Sequence, residues 1–251
     1  ARSQTEALAM RSRVRRVPRP DWIIPHPESA AGYAGISDVK DSPYFKAPDF
    51  YSMKSNDKGL TMLTNYPTYQ QTTCYSCGPA AALTVLWYFG VTCYDEPELM
   101  RRMGTSGVPN ERGEGGTCTA GICRFFEEIG WKVCSSLREC RGGENIFKNA
   151  AEFRDFIVGK LRSGLPVMVE NMRFGGHWRV IIGYDTMGTS TTADDVLILM
   201  DSDDVCDHCQ DGYSVVSAEE FFHTWRDIGA LPVDQRVQQY IVACPPEYGD
   251  Q

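Results

Sequence analysis

The sequence holds no run of about 18 apolar residues, so nothing in it reads as a membrane-spanning helix. Internal repeats and low-complexity tracts are also absent, which excludes a repeat array. Positive charge is in short supply: 25 Lys and Arg against 33 Asp and Glu give a net charge of −8. That balance argues against a nucleic-acid binder using its whole surface, and no nucleic-acid partner is expected. Histidine is scarce as well, at four residues, which narrows the search for a general base. What the chain does have is enough apolar material, 42% of 251 residues, to bury one substantial core. It also has ten cysteines, a high count for this length. In a secreted protein they would point to disulfides, and in a cytosolic one to metal or redox chemistry. The start at Ala1 fits a removed export signal or a trimmed chain equally well, so the compartment stays open.

Two regions differ in character. Residues 1–62 hold six prolines and no sustained apolar period, and residues 1–20 carry six arginines against one glutamate. This stretch reads as a short basic helix near 4–15 followed by an extended wrapping segment. Such an arm is suited to lie across the chain's own acidic body or against an anionic partner. A plain structural wrap is the expected role, with a propeptide or lid over the cleft as the alternative. Residues 63–251 read as one catalytic domain. Its helices are expected at Cys77–Phe89, Asp95–Met103, Thr119–Gly130, Asn149–Ser163 and Ala218–Trp225. A strand is expected at Trp131–Cys134, and five more at Pro166–Glu170, His177–Tyr184, Val196–Asp201, Tyr213–Ser217 and Gln239–Cys244. Helices first and strands afterwards, with short links, make an α+β pattern with an antiparallel sheet.

The stretch Gln71-Thr72-Thr73-Cys74-Tyr75-Ser76-Cys77-Gly78-Pro79-Ala80 carries the most chemistry. It places Cys77 at the start of a buried helix, where the positive end of the helix dipole and free backbone N–H groups favour a thiolate. Gly78 permits another backbone to approach, and Pro79 sits in the first turn, where a missing N–H costs nothing. The Cys77 amide is free to face a substrate oxyanion, and Gln71, six residues upstream, can return its side-chain amide as a second donor. A nucleophilic thiol needs a base. His26 lies in the proline-rich arm, His208 between two cysteines and His223 inside an expected helix. That leaves His177, which follows Gly175-Gly176 and opens a strand. If that strand pairs with Val196–Asp201, Asp201 becomes a cross-strand neighbour able to fix the imidazole. Trp178 and Arg179 flank the histidine and are candidates for lining a substrate subsite.

The ordered set Gln-x-x-x-x-x-Cys-Gly-Pro-Ala, a Gly-Gly-His strand and a strand ending in Asp resembles the bacteriocin-processing peptidases and their stand-alone relatives in the papain superfamily. The likeness spans roughly residues 65–245 and includes Tyr213–Trp225, where these proteins carry a strand and a helix with Glu-Phe and Trp. It implies a papain-like fold, with Cys77 as nucleophile, His177 as general base, Asp201 as orienting acid and Gln71 as oxyanion partner. It also implies a peptide or protein substrate. Where the family often has Asp-Pro, this chain has Asp201-Ser202-Asp203-Asp204. No transporter segment follows, so leader cleavage coupled to export is not expected of this chain. Two alternatives stand beside hydrolysis: acyl transfer to an amine, as in the phytochelatin synthases of the same superfamily, and a catalytically inactive relative that binds peptides.

Other motifs lead less far. Cys74-Tyr75-Ser76-Cys77 is a C-x-x-C in which Cys74 is expected only to pack nearby, although a disulfide there would silence the thiol. Cys206-Asp207-His208-Cys209 has the spacing of half a zinc site without a second half, and reads as a local disulfide or free thiols. The aspartates from 201 to 211 fail the calcium-loop spacing. No metal and no cofactor is expected.

Overall fold

The structure, a computed structural model, describes residues 48–139, 145–204 and 211–248. The expected basic helix, His26, Cys140 and the Cys206–Cys209 motif lie outside those residues.

After β1 (Leu60–Met62) come three helices, α1 (Cys77–Tyr88), α2 (Glu96–Met103) and α3 (Thr119–Glu128). Then follow β2 (Lys132–Ser135), the single turn α4 (Ser136–Glu139) and α5 (Ala150–Arg162). The remainder is β3 (Val167–Asn171), β4 (His177–Asp185), β5 (Val196–Met200), β6 (Tyr213–Ser217), α6 (Ala218–Thr224) and β7 (Tyr240–Cys244). The arrangement is α+β, and each pair of neighbouring strands runs antiparallel.

The sheet runs β2-β7-β3-β4-β5-β6, with β1 added along β4 beyond the end of β3. Residues 48–62 therefore contribute directly to this body: Leu60 pairs with Asp185, and Phe50 is buried in the core. Helix boundaries follow local chemistry. Asp95 caps α2 by accepting from the Glu98 amide at 2.8 Å, and Asn149 caps α5 through the Glu152 amide at 2.9 Å. Gly104, Gly130 and Gly164 follow with positive φ, where a side chain would be strained.

The two faces of the sheet are covered differently. Trp178 and Arg179 are neighbours on β4 and so point to opposite faces. The Trp178 indole N–H donates to the Thr117 carbonyl ahead of α3, on the side where α1 packs. The Arg179 guanidinium lies over Phe221 of α6 on the other side. Helix α1 is buried from Cys77 through Leu86, apolar on every side as its sequence is. Each large aliphatic side chain it buries is worth about 1.5–3 kcal/mol. Beneath α5 and α6, Phe147, Phe153, Phe221, Trp225 and Tyr240 form a continuous aromatic cluster.

Candidate active site

Cys77 is the first residue of α1 and is 5% exposed. The preceding Ser76 turns its hydroxyl back onto Thr73 instead of capping the helix. No charged side chain occupies the first turn either, so the helix dipole at the sulfur is left uncompensated. Gly78 has a concrete reason: a Cβ there would stand 2.8 Å from the Thr117 Cβ, so only glycine lets α1 seat against that loop.

The loop before Cys77 is tied down by a residue that the sequence pattern did not single out. Glu96 is fully buried, accepting from the Tyr69 hydroxyl at 2.8 Å and the Thr72 amide at 3.0 Å. Burial raises its carboxyl above the usual range against the pull of those hydrogen bonds. Gln71 is fixed at both ends. Its Oε1 accepts from the Ser202 hydroxyl at 2.8 Å, and its Nε2 donates to the Thr73 carbonyl at 2.8 Å. A side-chain amide has two N–H donors, so one remains for another acceptor.

His177 and Asp201 meet at the end of the sheet, with His177 Nε2 2.7 Å from Asp201 Oδ1. The strand register is offset from the one expected. Val180 pairs with Met200, so continuing the ladder puts Arg179 opposite Asp201, and His177 reaches the carboxylate from two residues further along. Burial pushes the imidazole down, but the Asp201 charge and hydrogen bond, with a contribution from Cys77, outweigh it and raise the ring to about 9. With Nε2 committed to Asp201, Nδ1 is the nitrogen left for the thiol. Asp201 is held below the usual carboxylate range despite complete burial, by His177 first and then by Arg179 and Arg173.

Sequence reasoning did not single out Arg173 and gave Arg179 a different role. Arg173 Nη1 is 3.5 Å and Arg179 Nη1 3.9 Å from Asp201 Oδ2. Trp178 and Arg179, expected to line a subsite, are each 2% exposed and cannot do so. Alternation turns Trp178 to the side where α1 packs and Arg179 to the side of α6, where burial pulls the guanidinium down to about 10. The side chain that does stand at the histidine is Phe174. It is 63% exposed, with φ of 54° and its ring edge-on to the imidazole at 5.9 Å.

Among the other expectations, Cys74 is exposed and Cys77 buried, and neither is in a disulfide. His223 is on the surface facing Glu219. Among the described residues no group of three or more His, Cys, Asp or Glu is arranged to hold a metal, and no helix is long and apolar enough to cross a membrane.

A cysteine at a helix N-terminus, set against an antiparallel sheet that presents histidine and aspartate, gives the chain the papain-like fold of a cysteine peptidase. The profile of the Peptidase_C39 like family matches residues 63–233, and the chain belongs to that family. Among solved structures it is similar to the peptidase domain of Streptococcus ComA, described as a bifunctional ABC transporter involved in a quorum-sensing pathway. That similarity is 19% identity with a TM-score of 0.44, over 72% of this chain and 98% of that one. The peptidase domain of Streptococcus mutans ComA is 14% identical with a TM-score of 0.34, over 71% of this chain and 98% of that one. A search of curated proteins finds no match.

Proposed function

We propose that the chain is a cysteine peptidase working through Cys77, His177 and Asp201, with Gln71 and the Cys77 amide receiving the oxyanion. The observation that carries this reading is the 2.7 Å contact between His177 and a buried Asp201, beside a cysteine on an uncapped helix N-terminus. Such a histidine holds its proton at neutral pH, kept there chiefly by the Asp201 charge, and has Nδ1 free to exchange it with the thiol.

The thiolate sulfur attacks the peptide carbonyl carbon, and the electron pair of the C=O bond moves to oxygen. The free Gln71 N–H and the Cys77 N–H receive that oxyanion. As the C–N bond breaks, His177 Nδ1 gives its proton to the leaving amine, and a thioester remains. Water then loses a proton to Nδ1 and attacks the thioester; the C–S bond breaks, the acid leaves and the thiolate returns. Asp201 holds Nε2–H throughout and keeps Nδ1 aimed at the sulfur.

Incubation with a mixed peptide library, read by mass spectrometry, tests the reading. Cleavage by the wild type that disappears in Cys77→Ala is the expected result. Products that form only when an amine acceptor is supplied would make the reaction acyl transfer. Cleavage that persists in Cys77→Ala overturns the assignment.

A further inference from the structure

Two carboxyl groups beside this site take no part in the chemistry above. Glu170 on β3 is 1% exposed and pairs across the strands with Trp178, which puts its side chain on the α1 side of the sheet. Asp227, on the loop after α6, is 5% exposed. Both crowd the backbone immediately before His177: a Cβ on Gly176 would stand 2.8 Å from Asp227 Oδ2 and 3.2 Å from Glu170 Oε1. The glycine ahead of the histidine therefore makes room for an acid pair. Asp227 Oδ1 accepts from the Gly229 and Leu231 amides at 2.8 and 2.9 Å, with Arg236 Nε 3.7 Å away. Those are the partners of an ionised carboxylate. By contrast, both oxygens of Glu170 and Asp227 Oδ2 lack a partner in good hydrogen-bonding geometry.

Buried carboxylate oxygens without well-placed donors are expensive, and two such groups facing one another more so. One proton between them removes the conflict, and it belongs on Glu170 because Asp227 already has the donors. The groups acting on Glu170 are Asp227, Cys77 on α1 and the backbone N–H of His177 on β4. Burial and then the Asp227 charge hold its carboxyl well above the usual range, and negative charge on Cys77 pushes it further the same way.

We propose that Glu170 and Asp227 share one proton across Gly176, and that this proton keeps a second anion away from Cys77, which makes Glu170 a positioning residue of the cysteine site. While the proton stays, the imidazolium of His177 faces one thiolate. When it leaves, Glu170 becomes a negative charge beside the nucleophile and beside any oxyanion formed on its substrate. This inference rests on the reading of Cys77 as a reactive thiolate.

The test compares alkylation of Cys77 by iodoacetate and by iodoacetamide across pH. Both reagents need the same thiolate, so the ratio of their rates reports local charge alone. Loss of the His177 proton lowers the ratio in every variant. In the wild type, ionisation of Glu170 adds a further fall of at least about threefold, because an anionic reagent is repelled by a nearby unit charge. Glu170→Gln abolishes that extra fall. Asp227→Asn moves it to lower pH, because the charge and the acceptor that hold the proton are gone. A buried residue with a purely structural role would leave the three ratios superimposed, and that result overturns the proposal. Failure of Cys77 to react ahead of the other cysteines would instead overturn the peptidase reading. If Glu170→Gln does not fold, the carboxyl carbon of Glu170 in isotopically labelled wild type decides: a protonated group at neutral pH supports the shared proton, and titration in the ordinary carboxylate range refutes it.

Discussion

The two sides of the site are polarised by different means. On the helix side, Cys77 begins a segment without a single charged residue through Tyr88, and the polarity its own element supplies comes from backbone dipoles. On the sheet side, His177 sits among Asp201, Arg173, Arg179, Glu170 and Asp227, most of them buried, and its state is set by full charges. Backbone polarity survives almost any single substitution. A buried charge cluster does not, because removing one member strands the others. The sheet side is therefore where the site is vulnerable to mutation and to pH.

The largest effects should come from the two residues that join these sides. Cys77→Ala and His177→Ala should each lower peptide turnover by about a thousandfold or more, measured by product formation under single-turnover conditions. Cys77→Ala should leave the melting temperature nearly unchanged, while His177→Ala should lower it by exposing the Asp201 charge. That asymmetry is the sharpest form of the comparison.

Asp201→Asn comes next. It should cost about 10²–10⁴ in turnover by freeing the imidazole, and about 3–5 kcal/mol in stability by leaving Arg179 and Arg173 without their counter-ion. Denaturant unfolding measures the second. A loss of activity without a loss of stability would show that the arginines do not depend on the carboxylate.

On the helix side the corresponding break is steric. Gly78→Ala forces a Cβ to within 2.8 Å of Thr117 and should cost about 1–3 kcal/mol, with a matching fall in Cys77 reactivity as α1 shifts. The pH dependence belongs to the sheet side. His177 is raised from 6.5 to about 9 on folding, so its contribution is fully present below pH 6.5 and fades as pH rises toward 9. On the order of 3 kcal/mol should disappear over that window, visible in unfolding curves and absent from His177→Ala. Asp201 works in the opposite direction, its contribution fading only as pH falls below the ordinary carboxylate range. The smallest effect should be that of His223→Ala, a surface histidine whose loss should stay within about 0.5 kcal/mol and leave turnover intact.

The same division explains what was legible beforehand. The helix side is local: Cys77, Gly78, Pro79 and the long apolar run lie within one stretch, and so does Gln71 six residues away. Strand positions were legible for the same reason, since Val, Ile and aromatic runs bounded by glycines mark them without reference to the rest of the chain. The pairing of His177 with Asp201 could be inferred from a hairpin, but its two-residue offset could not, because the register depends on where the turn is centred and on a one-residue irregularity between Ile181 and Gly183, and the strand pattern marks neither. Glu96, Glu170 and Asp227 carried no sequence signal at all. Each is an ordinary acidic residue whose meaning comes from partners 24 or more positions away: Thr72 for Glu96, and Asp227 for Glu170. Arg179 misled in the other direction. Its place beside His177 in sequence pointed to a substrate surface, whereas strand alternation turns it inward under Phe221.

The most direct test of the account is iodoacetamide labelling of gently reduced protein at mildly acidic pH, with the modified cysteines mapped by mass spectrometry. The account predicts that Cys77 is labelled well ahead of the other nine cysteines and loses that lead in His177→Ala. Labelling of Cys77 no faster than the rest would contradict an activated thiolate–imidazolium pair and leave the papain-like fold without its chemistry.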